Sequence, residues 1–412
     1  MKTKTKPNII LILIDALRAD YLGSYGFSKP ISPAIDSLAK QGVLFENCFT
    51  CTNASDPALT SIMTGMYPRT HGIVHHSFEV SNTELKTFDT RNVQLLQQVF
   101  KQNNYHTFGL DFLARWHARG YDFYPELKID RTKRKRQLFL ISKTFQLLHI
   151  KPLFKKLYAA KAFKKVMGGF DSYPKDTETT QKALELMSQH KKPYFLFIHY
   201  WGVHKPYTCP AIDNKLSTAC YEDAIKTVDA HVQKIMNAAE KNDIIVLLGD
   251  HGESLGEHSI AYDHHGLYEP SLKVPLIIKG GSLPKGKRIN ALTSTIDVFS
   301  TILNLAGITY TAKIDGIDLA LLIKETTTGR PFIIAEENYY QQKACIRTQK
   351  FKLIKAIGNF LCGKCNIVHG AEIELYNLEE DPQEEHNLAQ EQKEIVEKLT
   401  KQLEMFIPLK QR

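Results

Sequence analysis

No stretch of this chain is long and apolar enough to cross a bilayer. A span needs roughly 18 consecutive apolar residues, and the strongest N-terminal run, Ile9 to Ile14, is stopped by Asp15. That run also falls short of the roughly 7–15-residue apolar core of a secretory leader, and Arg18 follows closely. A buried strand in a cytoplasmic protein is the expectation. Cysteine is sparse and odd in number, seven in 412 residues, which argues for reduced thiols rather than a disulfide framework. Two pairs, Cys48/Cys51 and Cys362/Cys365, have C-x-x-C spacing and could jointly hold a zinc ion. Internal repeats are missing as well. With 43% apolar and 24% charged residues, the composition excludes a disordered, collagenous or coiled-coil chain.

What is present is enough chain for one large domain and a smaller one. The net charge of +9 is concentrated: thirteen Lys/Arg against one acid between Lys128 and Lys165 give that segment +12 and leave the rest at −3. Within it, Phe154, Tyr158, Ala162 and Val166 recur at helical spacing among lysines. This insert reads either as a solvated lid helix or as an amphipathic surface that contacts an acidic membrane. No motif accompanies the charge to suggest nucleic acid.

Continuous Ile/Leu/Val/Phe runs at Ile9–Ile14, Pro193–Trp201, Asp243–Glu253 and Val274–Gly280 read as strands covered on both faces. Helical patterns lie between them, so the fold class is α/β with a large, mostly parallel sheet flanked by helices. Residues 1–327 form the main domain, with the basic insert at about 128–175. After KETTTGRP, residues 328–412 read as a small α+β subdomain of strands and a closing helix.

In a parallel sheet, chemistry gathers beyond the carboxyl ends of the strands. Asp15, His204 and Asp250–His251 each stand just past an apolar run. Asp15, Asp250 and His251 together suit a divalent cation: carboxylates favour Ca, Mg or Mn, and the imidazole shifts the preference toward Mn or Zn. In NASDPALTSIMTG a turn enters a helix at Ser55. Its hydroxyl is either a helix cap or a nucleophile at a helix N-terminus.

Read in order, these segments resemble the sulfatase family of the alkaline phosphatase superfamily. PNIILILIDALRADYLG is similar to its first metal-binding strand and loop, and Ser55–Gly65 is similar to its C/S/T-x-P-S-R-x-x-L-x-T-G pattern. FLFIHYWGVHKPY, LLGDHGESLGEH and IELYNLEEDPQEEHNLA follow as in the family. The resemblance implies an alkaline phosphatase-like fold and one divalent metal held by Asp15, Ser55, Asp250 and His251. It makes Ser55 the nucleophile and places His204 on the sulfuryl or phosphoryl oxygen. His264, or its neighbour His265, protonates the leaving oxygen, and Arg69 and His71 assist with substrate. The implied substrate is an anionic small-molecule or glycan ester.

Departures from the family pattern bear on the chemistry. Ala16 stands where many members have a second acid, Leu59 replaces the Arg four residues after the nucleophile, and GLDFLARWH replaces a G-K-W-H stretch without a matching Lys. That Arg belongs to the signal that converts Cys or Ser to formylglycine. Two active readings follow. One is a sulfate ester hydrolase acting through residue 55, with formylglycine. The other is a phosphate mono- or diester hydrolase, or a phosphoryl-headgroup transferase, using unmodified Ser55. A degenerate, non-catalytic binding protein is the third reading.

Overall fold

The computed structural model describes residues 6–125, 174–190, 193–205, 207 and 217–407. The basic segment Lys128–Lys165 lies outside the described residues. Strand β1 (Ile9–Ile14) is wholly buried. Ile9, Leu11 and Leu13 enter one apolar cluster, and Ile10, Ile12 and Ile14 enter another. Side chains alternate across a strand, so an unbroken apolar run requires a layer on each face. One layer holds α1 (Pro33–Gln41) and the helices Asp176–Gln189 and Thr218–Ala238. The other holds α2 (Ser55–Thr64) and the helices Leu96–Gln102 and Asp297–Leu305.

The main sheet has seven strands in the order β3-β4-β1-β5-β6-β2-β7. β3 (His106–Leu110), β4 (Tyr194–Tyr200), β1 and β5 (Ile244–Gly249) run parallel. β2 (Val43–Phe49) and β7 (Lys287–Ser294) are also parallel to each other. The Val274–Gly280 run reads from sequence as one more parallel strand. In the structure β6 (Lys273–Lys279) is antiparallel to both β5 and β2, because an apolar run encodes burial and carries no direction. The mixed, mostly parallel sheet places the carboxyl ends of β1, β4 and β5 side by side.

A second, antiparallel sheet has the order β11-β10-β9-β8. It comprises β8 (Ile333–Glu337), β9 (Lys343–Arg347), β10 (Phe351–Ala356) and β11 (Ile373–Asn377). The closing helix Lys393–Glu404 buries Leu399 and Leu403 against Ile334, Ile346, Leu353 and Leu375. A bridge between Thr52 and Glu336 joins this sheet to the segment that leads into α2.

Cys48, Cys51, Cys345, Cys362 and Cys365 carry free thiols, whereas Cys220 is disulfide-bonded, a departure from the expectation of reduced thiols throughout. The two C-x-x-C pairs do not meet. Cys48 lies against Thr293 and Cys51 against Ser61, and neither joins Cys362 and Cys365 in a ligand-sized cluster among the described residues. No helix among these residues is long and apolar enough to cross a membrane.

Candidate active site

The site is built where β1, β5 and β4 end. Asp15 directly follows β1 and Asp250 directly follows β5, and both are fully buried. Ala16 adopts a left-handed backbone (φ 59°). Its N–H donates to Asp250 Oδ1 (3.2 Å) and its carbonyl accepts from Tyr221 Oη (2.8 Å), which fixes the turn that aims Asp15. His251 Nε2 lies 3.6 Å from Asp15 Oδ1 and 3.5 Å from Asp250 Oδ2.

Ser55 is the first residue of α2 and is 3% exposed; the capping position belongs to Ala54. The Ser55 hydroxyl is therefore free of a capping role and sits 3.3 Å from His251 Nε2. Three carboxylate oxygens beside it, both of Asp15 and Oδ2 of Asp250, are buried with no hydrogen-bond partner. Buried charge without a partner is strongly unfavourable. Asp15, Asp250 and His251 offer ligand atoms within 4.8 Å of one another, so the cluster fits a divalent cation. The titration of the pair agrees. Burial and then the Asp15 charge raise Asp250, whereas at Asp15 burial is outweighed by His204, His199 and His251, which lower it.

Three imidazoles share one arrangement. Nδ1 of His204 faces the Lys205 carbonyl (2.6 Å), Nδ1 of His251 the Gly252 carbonyl (2.8 Å), and Nδ1 of His264 the Asn53 carbonyl (2.5 Å). A carbonyl only accepts, so each Nδ1 carries the hydrogen and each Nε2 presents a lone pair when the ring is neutral. The rings gather closely: His264 stacks on His251 with centroids 4.5 Å apart and lies 5.7 Å from His204. Burial, followed by the other imidazoles, lowers His264 well below its ordinary range. Burial lowers His204 to about 4, against the pull of Asp15.

The remaining expected residues lie elsewhere. His265 turns away from its neighbour His264, toward His369 and Cys365. Arg69 pairs with Glu336 (2.9 Å), and buried His71 holds Ser61 (2.9 Å) and the Ile73 N–H (3.1 Å). None of these three contacts the cluster at Ser55 through those bonds.

Sequence reasoning passed over two groups. His199, inside β4, bonds Asp111 (2.7 Å) and approaches Asp15 Oδ2 (3.6 Å). Burial opposes its charge, but the two carboxylates outweigh it and hold the imidazole at about 10. Asp56, next to Ser55, is fully buried and is clamped by Arg115, by His76 Nδ1 (2.9 Å) and by the Ser77 N–H (2.7 Å), with His117 Nε2 at 3.4 Å. Its carboxyl lies well below the usual range because Arg115, then His76 and His117, outweigh burial. Arg115 immediately precedes Trp116-His117, so a cation does stand beside the expected Trp-His pair. It is Arg rather than Lys, and Ala114 and Arg115 both adopt left-handed backbone (φ 56° and 55°) to present it.

The family model for sulfatases matches residues 7–308, and the model described as N-sulphoglucosamine sulphohydrolase, C-terminal, matches residues 256–408. A delta 4,5-hexuronate-2-O-sulfatase of Bacteroides thetaiotaomicron is 23% identical over 441 residues, covering 95% of this chain and 86% of that protein. A solved structure described as a 2-O GAG sulfatase superimposes with a TM-score of 0.71 at 19% identity, covering 98% of this chain and 92% of that one. The phosphonate monoester hydrolase of Agrobacterium radiobacter does so with a TM-score of 0.69 at 17% identity, covering 97% and 95%. At these identities the structural likenesses establish a shared fold.

Proposed function

Because the chain belongs to the sulfatase family, a family of ester hydrolases, we propose that it cleaves sulfate monoesters of an anionic glycan or small molecule, with residue 55 as the nucleophile. The observation that supports this most is the convergence of Asp15, Asp250 and His251, whose ligand atoms lie within 4.8 Å of one another, with His251 Nε2 3.3 Å from the Ser55 hydroxyl. In this reading Asp15, Ser55, Asp250 and His251 hold one divalent cation. Once bound, it would lower the pKa of the residue-55 hydroxyl and neutralise charge on the transferring group.

The other roles follow from the free Nε2 atoms. Burial holds His264 and His204 neutral. The proton released by the residue-55 hydroxyl as its oxygen bonds to sulfur passes through His264 to the departing alcohol oxygen, and His204 stands beside the sulfuryl oxygens. His265 takes no part. With a formylglycine hydrate, the second hydroxyl loses its proton, the C–O bond to sulfate breaks, and the aldehyde re-forms; one water per cycle restores the hydrate. With a plain serine, water attacks the enzyme ester instead.

We read residues 328–412 as a subdomain that walls the site. Its Tyr339 lies parallel to His264 with ring centroids 5.7 Å apart. Tyr339 also lines a cavity of about 460 Å³ together with His75, Glu79, Asn338 and Tyr340. That cavity is the place for the body of the substrate. Leu59, buried in the apolar cluster at 1% exposure, supports a second reading in which an unmodified Ser55 cleaves phosphate or phosphonate esters.

Mass spectrometry of the residue-55 peptide from the native host separates the two. A loss of about 2 Da marks serine oxidised to formylglycine, and sulfate ester turnover is then expected. An unmodified serine together with turnover of phosphorus esters alone would refute the sulfatase reading. Activity that survives Ser55→Ala would refute both.

A further inference from the structure

A second cluster of metal-ligating side chains lies apart from Asp15 and Asp250. Cys362, Cys365, His369 and His265 offer ligand atoms within 4.8 Å of one another. The first three lie on one short hairpin, C-x-x-C-x-x-x-H, closed by a bridge between Leu361 and Val368 and turned at Asn366 (φ 59°). We propose that these four residues bind a structural zinc ion.

The distances agree with tetrahedral zinc. Bonds of about 2.05 Å to nitrogen and 2.3 Å to sulfur put two nitrogens about 3.3 Å apart, and a nitrogen and a sulfur about 3.6 Å apart. His265 Nε2 lies 3.2 Å from His369 Nε2 and 3.7 Å from Cys365 Sγ. Cys362 Sγ accepts the Cys365 N–H at 3.4 Å.

The surroundings of the two imidazoles suit this arrangement. Nδ1 of His369 donates to the His258 carbonyl (3.3 Å), so its Nε2 presents a lone pair toward His265. Nδ1 of His265 makes no hydrogen bond, with Asp263 Oδ1 3.4 Å away. The two Nε2 atoms converge as two ligands of one cation would. A carboxylate or carbonyl behind each ligating imidazole is also the usual support of a zinc-bound histidine.

The hairpin has little core of its own. Leu361, Ile367 and Val368 are three of the six large apolar side chains exposed among the described residues, while Cys362 and His369 are buried. A hairpin that turns three apolar residues outward, buries Cys362 and His369 and leaves Cys365 exposed has little besides a metal to keep its shape. The ion would fasten this hairpin to the 263–266 loop, and so steady His264. That consequence rests on the function proposed above, whereas zinc binding itself does not.

The full-length chain, purified under reducing conditions, should hold one zinc per chain after zinc loading and dialysis. Exchange for Co(II) should give thiolate-to-cobalt charge-transfer absorption and the intense visible bands of a tetrahedral site. The double variant Cys362→Ser/Cys365→Ser should lose that zinc and those bands, whereas Asp250→Asn should keep both. Failure of the wild-type chain to retain zinc would overturn the proposal without affecting the Asp15–Asp250 site. A cobalt spectrum without thiolate absorption would overturn it as well. So would zinc content that disappears with Asp250→Asn and persists in the double cysteine variant.

Discussion

Replacing Asp250 with Asn should make the metal-free protein more stable while destroying its response to metal. Asp15 and Asp250 are fully buried, with ligand oxygens no more than 4.8 Å apart. Two unit charges at that separation repel by about 3–4 kcal/mol at an effective dielectric near 20. Asn keeps the contacts that position residue 250, because its carbonyl oxygen can still accept from the Ala16 and His251 N–H groups. Its amide then occupies the place of Oδ2, which has no partner in the native chain, and can donate to Asp15. For 412 residues, each kcal/mol corresponds to about 1 °C in Tm. The chelated variant should therefore melt about 1–4 °C above chelated wild type.

The sign of the pH dependence follows from Asp250. Its folded pKa is raised by burial and Asp15, so between the unfolded and folded values the native state binds more protons than the unfolded chain. Wild-type stability without metal must then fall as pH rises through the folded pKa, and the advantage of the variant should widen over the same window. Differential scanning fluorimetry after chelation, and again with calcium or manganese restored, reads both effects. Both proteins share the Cys362 cluster, so its contribution cancels. A variant that melts lower than chelated wild type and still gains stability from added metal would refute the reasoning.

Arg115→Ala strands the buried Asp56 charge. Losing one partner of a buried pair costs about 3–5 kcal/mol, reduced here toward about 2–3 because Arg115 is 23% exposed and the His76 and Ser77 contacts remain. Urea denaturation of Asp56→Asn, Arg115→Ala and the double variant should show clear coupling, and additive costs would refute the pairing. Among esters of one alcohol, kcat/KM should be higher for the sulfate monoester than for the doubly charged phosphate monoester. The opposite order would refute the charge argument developed below.

The parts of this architecture that were legible in sequence are those written by burial. Ile9–Ile14 reads as a two-face-buried strand because both alternating sets of side chains are apolar, and the structure places one set in each layer. Asp15 and Asp250 are legible for the same reason, since a polar residue directly after such a run must stand at the sheet edge. Direction was not legible, so β6 was read as parallel. His199 also escaped notice: one imidazole inside an apolar strand looks like pattern noise until β3 brings Asp111 beside it. Asp56 and Arg115 are 59 residues apart, and nothing local to either announces the other. The C-x-x-C spacing at Cys362 was visible, but its nitrogen ligands were not. His265 reaches it from about a hundred residues upstream, and only the packing of Ile260, Leu267 and Tyr268 against the second sheet makes the two neighbours.

Charge at the site bears directly on sulfate against phosphate. Asp56 is neutralised by Arg115 without involving the reaction centre. That leaves the carboxylates of Asp15 and Asp250 against His251, which stands 3.3 Å from Ser55, with His199 held protonated behind Asp15. A divalent cation added to these gives the pocket a net charge of about +1. A sulfate monoester carries one negative charge and completes the balance, as would a phosphodiester or a phosphonate monoester. A phosphate monoester near neutral pH carries close to two and needs an additional proton, with His264 and His204 its nearest carriers. Both are depressed by burial, so that proton is costly to supply. On this charge balance the proposed site would favour singly charged esters, whichever form residue 55 takes.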